Sequence, residues 1–389
     1  MKKHLVSLGS GALLLGLAAA ATAVAAPASA SASTGGSPVT GHVYVNDNTA
    51  GTNTIGAFDR HADGTLTPEH GSPFPAGGAG AGAGLASQGA IQFAAGGRFV
   101  LAADAGSNQI SVLRVNHSGS LSQVPGGVVS SGGATPVSIA VHGSLVYVAN
   151  AGTAATNYTG FRFLGGHLFR IPGSAVTLPS AAQPGDVLFN GTGTKLVGTR
   201  VGTSQIDSFT VSFGGRLTPA PGSPFQAQGL GPFGSEFRPT NPSQLFVSNA
   251  HNTAADSGTV SAFTDSSRGT LTSVAGSPFA DDQMAPCWVE ITHDGRFLFT
   301  VNTASGTISR FSIAPGGKLT LLGSTPVGAT GGVGAVDARL SPGGRYLYVD
   351  ESKIGSVGIF AVHGGSLTEL SSSPVKLPAG ATPAGISAS

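Results

Sequence analysis

The segment LSPGGRYLYVDE, at residues 340–351, contains the pattern that decides the fold. A Gly-Gly turn leads into a Tyr-Leu-Tyr-Val run that ends at acidic residues, which is typical of a short strand entered through a tight turn. Six other segments end in a similar way, at intervals of about fifty residues. The seven endings are Asn46, Asp104, Asn150, Arg200, Asn249, Asn302 and Glu351. A period of this length indicates a repeat architecture.

Each copy continues with further strand and turn signals. Most endings are followed six residues later by an apolar position, such as Ile110 or Ile308, and then by a Gly-Thr-Leu or Gly-Ser-Leu element. Several copies close with Gly-Ser-Pro-Phe, as at residues 71–74. Short apolar runs separated by Gly-rich turns predict four short antiparallel strands in each unit.

A four-stranded unit cannot bury both of its faces alone, so copies must pack against one another, and a ring of such sheets is a propeller. We therefore predict an all-β, seven-bladed β-propeller over residues 41–389. The C-terminal stretch 382–387 resembles the first-strand opening at residues 135–139, whereas the first unit begins on its second strand. The last strand is thus expected to complete the N-terminal blade. A β-helix is the alternative, although its repeats are usually shorter.

The N-terminus predicts export. Lys2 and Lys3 precede an apolar run at residues 5–24, and the small residues Ala28-Ser29-Ala30 follow. This order is typical of a signal peptide, which we place at residues 1–30, with a flexible linker at 31–40. We expect a secreted or periplasmic protein without an integral membrane segment after cleavage. Cys287 is the single cysteine, which excludes an internal disulfide.

Composition narrows the set of partners. The formal net charge is +1, charged residues make up 10% of the chain, and no basic cluster occurs. A nucleic-acid partner is therefore not expected. The sequence contains no zinc-binding motif. Metal binding has no support beyond carboxylate-rich loops such as Asp281-Asp282. We predict a monomer with no cofactor and no metal.

The repeat resembles that of a known family. The Tyr-Val-x-Asn endings and the 340–349 segment are similar to those of bacterial lactonase-like propellers, which include 6-phosphogluconolactonase and carboxymuconate cyclase relatives. A WD-type propeller is disfavoured because Trp288 is the only tryptophan. The resemblance implies a small lactone or carbohydrate as ligand, bound at one mouth of the central channel.

Hairpin geometry selects the candidate residues. The start of each innermost strand and the end of each second strand emerge on the same face of the ring, so both sets surround one mouth. The innermost strands are expected to start near Gln88, Pro136, Pro184, Pro232, Pro286 and Ala335. Lactone hydrolysis needs a base and an oxyanion-stabilising group. Asp186 and Asp337 are the candidate bases and Arg200 the candidate cation, with Glu351 and Asp104 as orienting groups. Each of them could instead cap a turn.

A second set of candidates lies deeper along the innermost strands or in the mouth loops. Glu236, Glu290 and Arg339 are expected on the channel wall, either as binding groups or as a structural ion-pair ring. Trp288 stands at a strand start beside Cys287, whose thiol is expected to be inert. His251 follows the Asn249 ending and is the one histidine placed at the mouth.

Relatives of the carboxymuconate type are expected to carry histidine near an innermost-strand start, and this chain has none there. Two hypotheses remain open. The first is an exported enzyme that hydrolyses or isomerises a small sugar or aromatic-acid lactone. The second is a non-catalytic propeller that binds a protein, a polysaccharide or an envelope component.

Overall fold

The computed structural model describes residues 36–252, 254–328, 332 and 334–389. The predicted signal peptide lies outside these residues, and the first strand begins at Val39, within the predicted linker. In the described ranges the regular structure is β-strand throughout, with no α-helix. Accordingly, no helix among these residues is long and apolar enough to span a bilayer.

The strands form seven antiparallel sheets, which are the blades of a propeller, so the predicted fold is confirmed. Six sheets have five strands and one has four. The innermost strands are β34 (Ile386–Ala388), β5 (Ile91–Ala94), β10 (Pro136–His142), β15 (Pro184–Phe189), β20 (Pro232–Arg238), β25 (Pro286–Ile291) and β29 (Ala335–Leu340), for blades 1 to 7 in order.

The other strands follow outward in each blade. The second strands are β1 (Val39–Asn46), β6 (Phe99–Asp104), β11 (Leu145–Asn150), β16 (Lys195–Arg200), β21 (Asn241–Asn249), β26 (Phe297–Asn302) and β30 (Tyr346–Glu351). The third strands are β2 (Thr54–His61), β7 (Gln109–Val115), β12 (Asn157–Leu164), β17 (Gln205–Val211), β22 (Thr259–Asp265), β27 (Thr307–Ile313) and β31 (Ser356–His363). The fourth strands are β3 (Leu66–Pro68), β8 (Leu121–Gln123), β13 (His167–Arg170), β18 (Leu217–Pro219), β23 (Leu271–Ser273), β28 (Leu319–Pro326) and β32 (Ser366–Glu369).

A short fifth strand, not predicted from the sequence, pairs with the third strand in every blade except blade 6. These strands are β4 (Phe74–Pro75), β9 (Val129–Ser130), β14 (Val176–Thr177), β19 (Phe225–Gln226), β24 (Phe279–Ala280) and β33 (Val375–Lys376). The Gly-Ser-Pro-Phe motif explains several of them. The Ser72 hydroxyl accepts the Ala57 N–H at 2.8 Å, and Ser277 does the same for Ala262. The serine of the motif thereby accepts an N–H group of the third strand, which would otherwise need a carbonyl of a longer fourth strand.

The C-terminal strand closes the ring as predicted. In blade 1, β34 pairs antiparallel with β1, with Tyr44 opposite Ser387 and Val45 opposite Ile386. The Ser389 N–H also donates to the His42 carbonyl at 2.8 Å. Pairing both ends of the chain in one sheet removes a free strand edge.

Adjacent blades are joined by packing and by tyrosine hydrogen bonds. Tyr44 and Ile55 of blade 1 pack in one buried cluster with Ile91 and Val100 of blade 2. The Tyr44 hydroxyl donates to the Gly119 carbonyl at 2.7 Å. Equivalent bonds run from Tyr147 to Gly215 and from Tyr348 to Gly64. The Tyr-Val endings therefore bind the Gly-x-Leu turns of the next blade, which accounts for the recurrence of both motifs.

Candidate functional site

A cavity of about 340 Å³ lies at the predicted mouth of the channel. Its walls come from the starts of innermost strands and from the loops that follow second strands, as the hairpin geometry requires. The lining residues are Gly84, Leu85, Ala86, Ser87, Phe233, His251, Cys287, Trp288, Thr303, Val336, Asp337, Ser352, Pro383 and Ala384. The lining is mostly apolar, with a few polar groups, which is the usual character of a small-molecule site.

The segment Gly84–Gln88 forms one side of this cavity and was missed by the sequence analysis. An innermost strand was expected to start near Gln88, but β5 begins only at Ile91. The preceding residues instead cross the mouth. The Trp288 indole N–H donates to the Ser87 carbonyl at 2.8 Å, and the Gln88 N–H donates to the Gly185 carbonyl at 2.9 Å.

The side chain of Gln88 divides the channel into two layers. Its amide exchanges hydrogen bonds with the backbone of Val289, at 3.0 Å and 3.1 Å. Val289 lies one residue deeper along its strand than Trp288, which lines the mouth cavity. Glu290 follows one residue deeper again. Neither Glu290 nor Glu236 lines the mouth cavity.

Asp337 lines the mouth cavity, and the residue is only 1% exposed, although charged groups are rarely buried so fully. Its oxygens accept the backbone N–H groups of Gly89 at 3.1 Å and of Ala338 at 2.9 Å. Burial raises the pKa of Asp337 to about 6, although Arg339 and the two backbone donors oppose the rise. Such a carboxylate titrates close to neutral pH.

Asp186 is buried at the same depth but is enclosed by neighbouring blades. It accepts hydrogen bonds from the Ser138 hydroxyl at 3.2 Å and from the Ser235 hydroxyl and N–H at 2.6 and 3.0 Å. Burial raises the pKa of Asp186 to about 7, with the two serines opposing and Asp337 adding to the rise. Asp186 does not line the mouth cavity. Its contacts join blades 3, 4 and 5.

Glu236, Glu290 and Arg339 come together in the deeper layer of the channel, as expected for the channel wall. The Arg339 guanidinium is 3.2 Å from a Glu290 carboxylate oxygen, and the other oxygen accepts the Leu340 N–H at 2.8 Å. Burial raises the pKa of Glu236 well above its usual value, and the adjacent Glu290 raises it further. Glu290, Asp337, Glu236 and Asp186 all raise the pKa of Arg339. One cation thus compensates several carboxylates.

Arg200 is not brought together with the candidate bases. Its Nε and one terminal nitrogen donate to Asp207 at 2.6 Å each, within blade 4, and the Tyr158 hydroxyl donates to the same carboxylate at 3.1 Å. The cation that the channel carboxylates face is Arg339. Asp207 was not among the predicted site residues. It lies on β17, seven residues beyond Arg200, and can therefore neutralise it across the hairpin.

Asp104 and Glu351 also lie away from the mouth cavity. Asp104 accepts from the Asn53 amide at 2.8 Å and the Ser111 hydroxyl at 2.5 Å, at the junction of blades 1 and 2. Glu351 is fully buried, and neither carboxylate oxygen has a hydrogen-bond partner among the described residues. Burial raises its pKa to about 7, with Glu369 adding to the rise and Lys376 opposing it.

His251 and Trp288 do line the cavity, as predicted for the mouth. His251 is exposed at its rim. Trp288 packs edge to face against Phe233, with ring centroids 5.1 Å apart. Burial raises the pKa of Cys287 to about 12, so this thiol stays protonated and is a poor nucleophile. Phe233, Thr303 and Ser352 were not singled out from the sequence, because nothing in their local pattern distinguishes them from other blade residues.

These features define a seven-bladed propeller with a small-molecule cavity at one mouth. A family described as "Lactonase, 7-bladed beta-propeller" matches residues 37–162 and 237–383, and the chain belongs to this family. The predicted family resemblance is confirmed. No curated protein sequence matches the chain significantly.

Solved structures share the fold at low sequence identity. A putative 6-phosphogluconolactonase from Bacteroides fragilis is 19% identical, with a TM-score of 0.70 over 90% of this chain and 98% of its own. A periplasmic gluconolactonase from Pseudomonas aeruginosa is 18% identical, with a TM-score of 0.69 over 90% and 98%. A putative 6-phosphogluconolactonase from Bacteroides uniformis is 18% identical, with a TM-score of 0.69 over 90% and 99%. At these identities the likeness concerns the fold.

Proposed function

We propose that this protein is an exported hydrolase of a small, unphosphorylated lactone, which binds in the mouth cavity and is attacked by water that Asp337 activates. The observation that carries the proposal is a buried carboxylate of raised pKa in the wall of a ligand-sized cavity, within a chain of the lactonase family. Perturbed acids in clefts are characteristic of catalytic sites.

Asp337 has the properties of a general base. With a pKa of about 6 it is mostly ionised at pH 7, yet it is more basic than an ordinary aspartate. Each oxygen accepts one backbone N–H, and a carboxylate oxygen has two acceptor sites. Capacity for a water molecule therefore remains.

The reaction requires water to add to the lactone carbonyl carbon while its proton passes to Asp337. The carbonyl oxygen becomes an oxyanion, and a hydrogen-bond donor stabilises it. His251 and the Thr303 hydroxyl are the donors of the cavity lining that can serve this role, whereas the Ser352 hydroxyl already donates to the Gly334 carbonyl at 2.8 Å. The ring C–O bond then breaks, the released alkoxide takes a proton, and the product is a hydroxy acid.

The lining also favours one class of substrate. Among the described lining residues there is no lysine or arginine, so a phosphoryl group would enter without a cationic partner. Arg339 does not line the cavity and is already paired with Glu290. A single-ring sugar or aromatic-acid lactone, packed against Trp288 and Phe233, suits this chemistry better. The signal-like N-terminus supports export, where phosphorylated metabolites are scarce.

A non-catalytic binding propeller is the second candidate. It is favoured by the segment Gly84–Gln88, which crosses the mouth, and by Asp186, whose oxygens are already occupied by serine donors. In that case the cavity would bind a ligand without turnover.

A substrate panel separates the two candidates. Purified protein is assayed for acid release from an unphosphorylated aldonolactone, its 6-phosphate and an aromatic-acid lactone, with an active propeller lactonase as positive control. We expect turnover of an unphosphorylated lactone, accompanied by a change in the fluorescence of Trp288. Fluorescence change without acid release would favour the binding propeller, and absence of both would overturn the proposal.

A further inference from the structure

Three side chains with metal-binding atoms meet on blade 1, far from the mouth cavity in the fold. His42 on β1 lies directly opposite Asp59 on β2 in the strand register, and Glu69 follows the end of β3. One ligating atom from each residue lies within 4.8 Å of the other two. The residues are separated by 17 and 10 positions in the sequence, so they do not form a short sequence motif.

The repeat shows that Glu69 is unusual at its position. The Glu69 N–H donates to the Ala57 carbonyl, and the same backbone bond recurs in five other blades. The residues that make it there are Val124, Ile171, Ala220, Val274 and Leu370. All five are apolar, as packing between blades demands. Blade 1 alone in this set places a carboxylate there, and Glu69 is only 7% exposed.

The Glu69 carboxylate has no cationic partner among the described residues. None of the ion pairs there includes it, and its neighbour Asp59, which pairs with His42, is a second carboxylate. A buried charge is retained at low energetic cost when a cation or a metal ion neutralises it.

His42 completes a suitable ligand set. Its Nδ1 is 3.2 Å from an Asp59 oxygen but makes no hydrogen bond in the described structure. Imidazole nitrogen is a common metal ligand, and this one points into the cluster. The nearby Arg60 is engaged elsewhere, since it donates to the carbonyls of Ser389 and Thr40 at 2.9 Å.

The surroundings pack closely against the His42 ring and leave Asp59 open to solvent. The Gly119 turn of blade 2 closes one side, and a Cβ at Gly119 would lie 2.1 Å from the His42 ring, so only glycine fits there. The Asp59 side chain is 26% exposed, which leaves a path from solvent. In a tetrahedral zinc site, ligand atoms about 2.1 Å from the ion lie about 3.4 Å apart. The ligating atoms of His42, Asp59 and Glu69 lie within 4.8 Å of one another, so they would move closer together when an ion binds.

We propose that His42, Asp59 and Glu69 bind a divalent metal ion of the Zn²⁺ or Mn²⁺ class, in a site that joins the second, third and fourth strands of blade 1. One imidazole and two carboxylates suit these ions. The ion would stabilise the blade in which both ends of the chain meet, independently of any reaction at the mouth.

The test uses two measurements on metal-stripped protein. Calorimetry measures the binding of Zn²⁺ and of Mn²⁺, and thermal unfolding shows whether each ion raises the unfolding midpoint. Glu69→Val is the informative variant, because valine occupies the equivalent position in blades 2 and 5 and should fold well. His363→Gln, which removes an exposed histidine elsewhere, is the matched control.

We expect one ion to bind to the wild type and to His363→Gln and to raise the thermal midpoint of both. Glu69→Val should bind at least about tenfold more weakly, since even residues that only support a metal site cost that much. Its unfolding midpoint should not respond to the ion. Equal binding by Glu69→Val and the wild type, or no binding of either ion to the wild type, would overturn the proposal. Should Glu69→Val not fold, Glu69→Gln takes its place with the same expectations.

Discussion

The side-chain amide of Gln88 hydrogen-bonds both backbone groups of Val289, a residue 201 positions later in the chain. Gln88 belongs to the entry of blade 2 and Val289 to the innermost strand of blade 6, so the pair spans the central channel. Because Gln88 is buried, the two bonds are made away from bulk water. They hold the segment that walls the mouth cavity.

We expect Gln88→Ala to destabilise the protein by about 1–3 kcal/mol, because the buried N–H and carbonyl of Val289 lose their partner. Chemical denaturation measures the change in the free energy of unfolding. Gln226→Ala is the control, since the Gln226 amide donates to the Ser204 carbonyl at the surface and its loss should have little effect. Equal effects of the two substitutions would show that the channel bond is unimportant.

Arg200→Gln should lower stability rather than catalysis. It leaves Asp207, whose side chain is 2% exposed, without its cation, and removing one partner of a buried ion pair typically costs about 3–5 kcal/mol. We expect kcat/KM for the lactone substrate to stay within about twofold of the wild type at temperatures where the variant is folded.

The double variant Arg200→Gln/Asp207→Asn serves as the control for that prediction, because it removes both charges and should recover part of the lost stability. A large loss of kcat/KM in Arg200→Gln with unchanged stability would restore Arg200 as the catalytic cation.

Deletion of residues 382–389 removes β34 and should lower the thermal midpoint of unfolding. It also exposes the edge of β1, since Tyr44 and Val45 lose their partners Ser387 and Ile386. Amide exchange in residues 43–46 should accelerate, whereas exchange in β20 of blade 5 should change little. An unchanged midpoint would contradict closure of the ring by this strand.

Strand boundaries were predicted well because turn chemistry fixes them locally. Pro136, Pro184, Pro232 and Pro286 start four innermost strands as expected, since proline is tolerated at the first residue of a strand. Closure could also be predicted, because the C-terminal segment resembles a first strand. The candidate site was harder to predict. Gln88 looks like a strand start locally, and only the assembled ring brings Val289 to it across the channel.

The contacts of the charged candidate residues also depend on tertiary structure that the repeat does not reveal. Asp337 lines the mouth cavity because its position in the hairpin determines which face it emerges on. Arg200 satisfies the same rule, yet its direction is set by Asp207 on the neighbouring strand. Likewise, the approach of His42 to Glu69 depends on the sheet register and not on sequence spacing. Pairwise compensation of charge follows from tertiary packing, which repeat alignment does not contain.

Stability should fall as the pH rises from about 4 to 8. Burial raises the pKa of Asp47, Asp186 and Glu351 to about 7 and those of Asp104 and Asp337 to about 6. Between the unfolded and folded pKa values the folded state binds more protons than the unfolded state, so the free energy of unfolding decreases with pH. The pKa of His42 is lowered by burial, so this single group contributes in the opposite direction.

Glu351→Gln tests the origin of that trend. Folding raises the pKa of Glu351 from 4.5 to about 7. At about 1.4 kcal/mol per pKa unit, the ionised carboxylate destabilises the fold by about 3 kcal/mol at pH 8. We expect the variant to be more stable than the wild type at pH 8 and similar to it at pH 4.5, by denaturant titration. Asp63→Asn, at an exposed carboxylate whose pKa is lowered, should produce no such gain. A gain of equal size at both pH values would contradict the account.

The most direct measurement is kcat/KM for hydrolysis of the best unphosphorylated lactone by the wild type and by Asp337→Asn. Asparagine has the same shape, and its amide oxygen can still accept the Gly89 N–H. The bond from the Ala338 N–H is lost, but so is the cost of burying an ionised carboxylate, so the cavity should persist. Asp294→Asn, at an exposed ion pair outside the cavity lining, is the matched control. We predict a loss of about 10²–10⁴-fold in kcat/KM for Asp337→Asn, with an unfolding midpoint no lower than that of the wild type, and no loss for Asp294→Asn. Equal kcat/KM in Asp337→Asn and the wild type would contradict catalysis by this carboxylate.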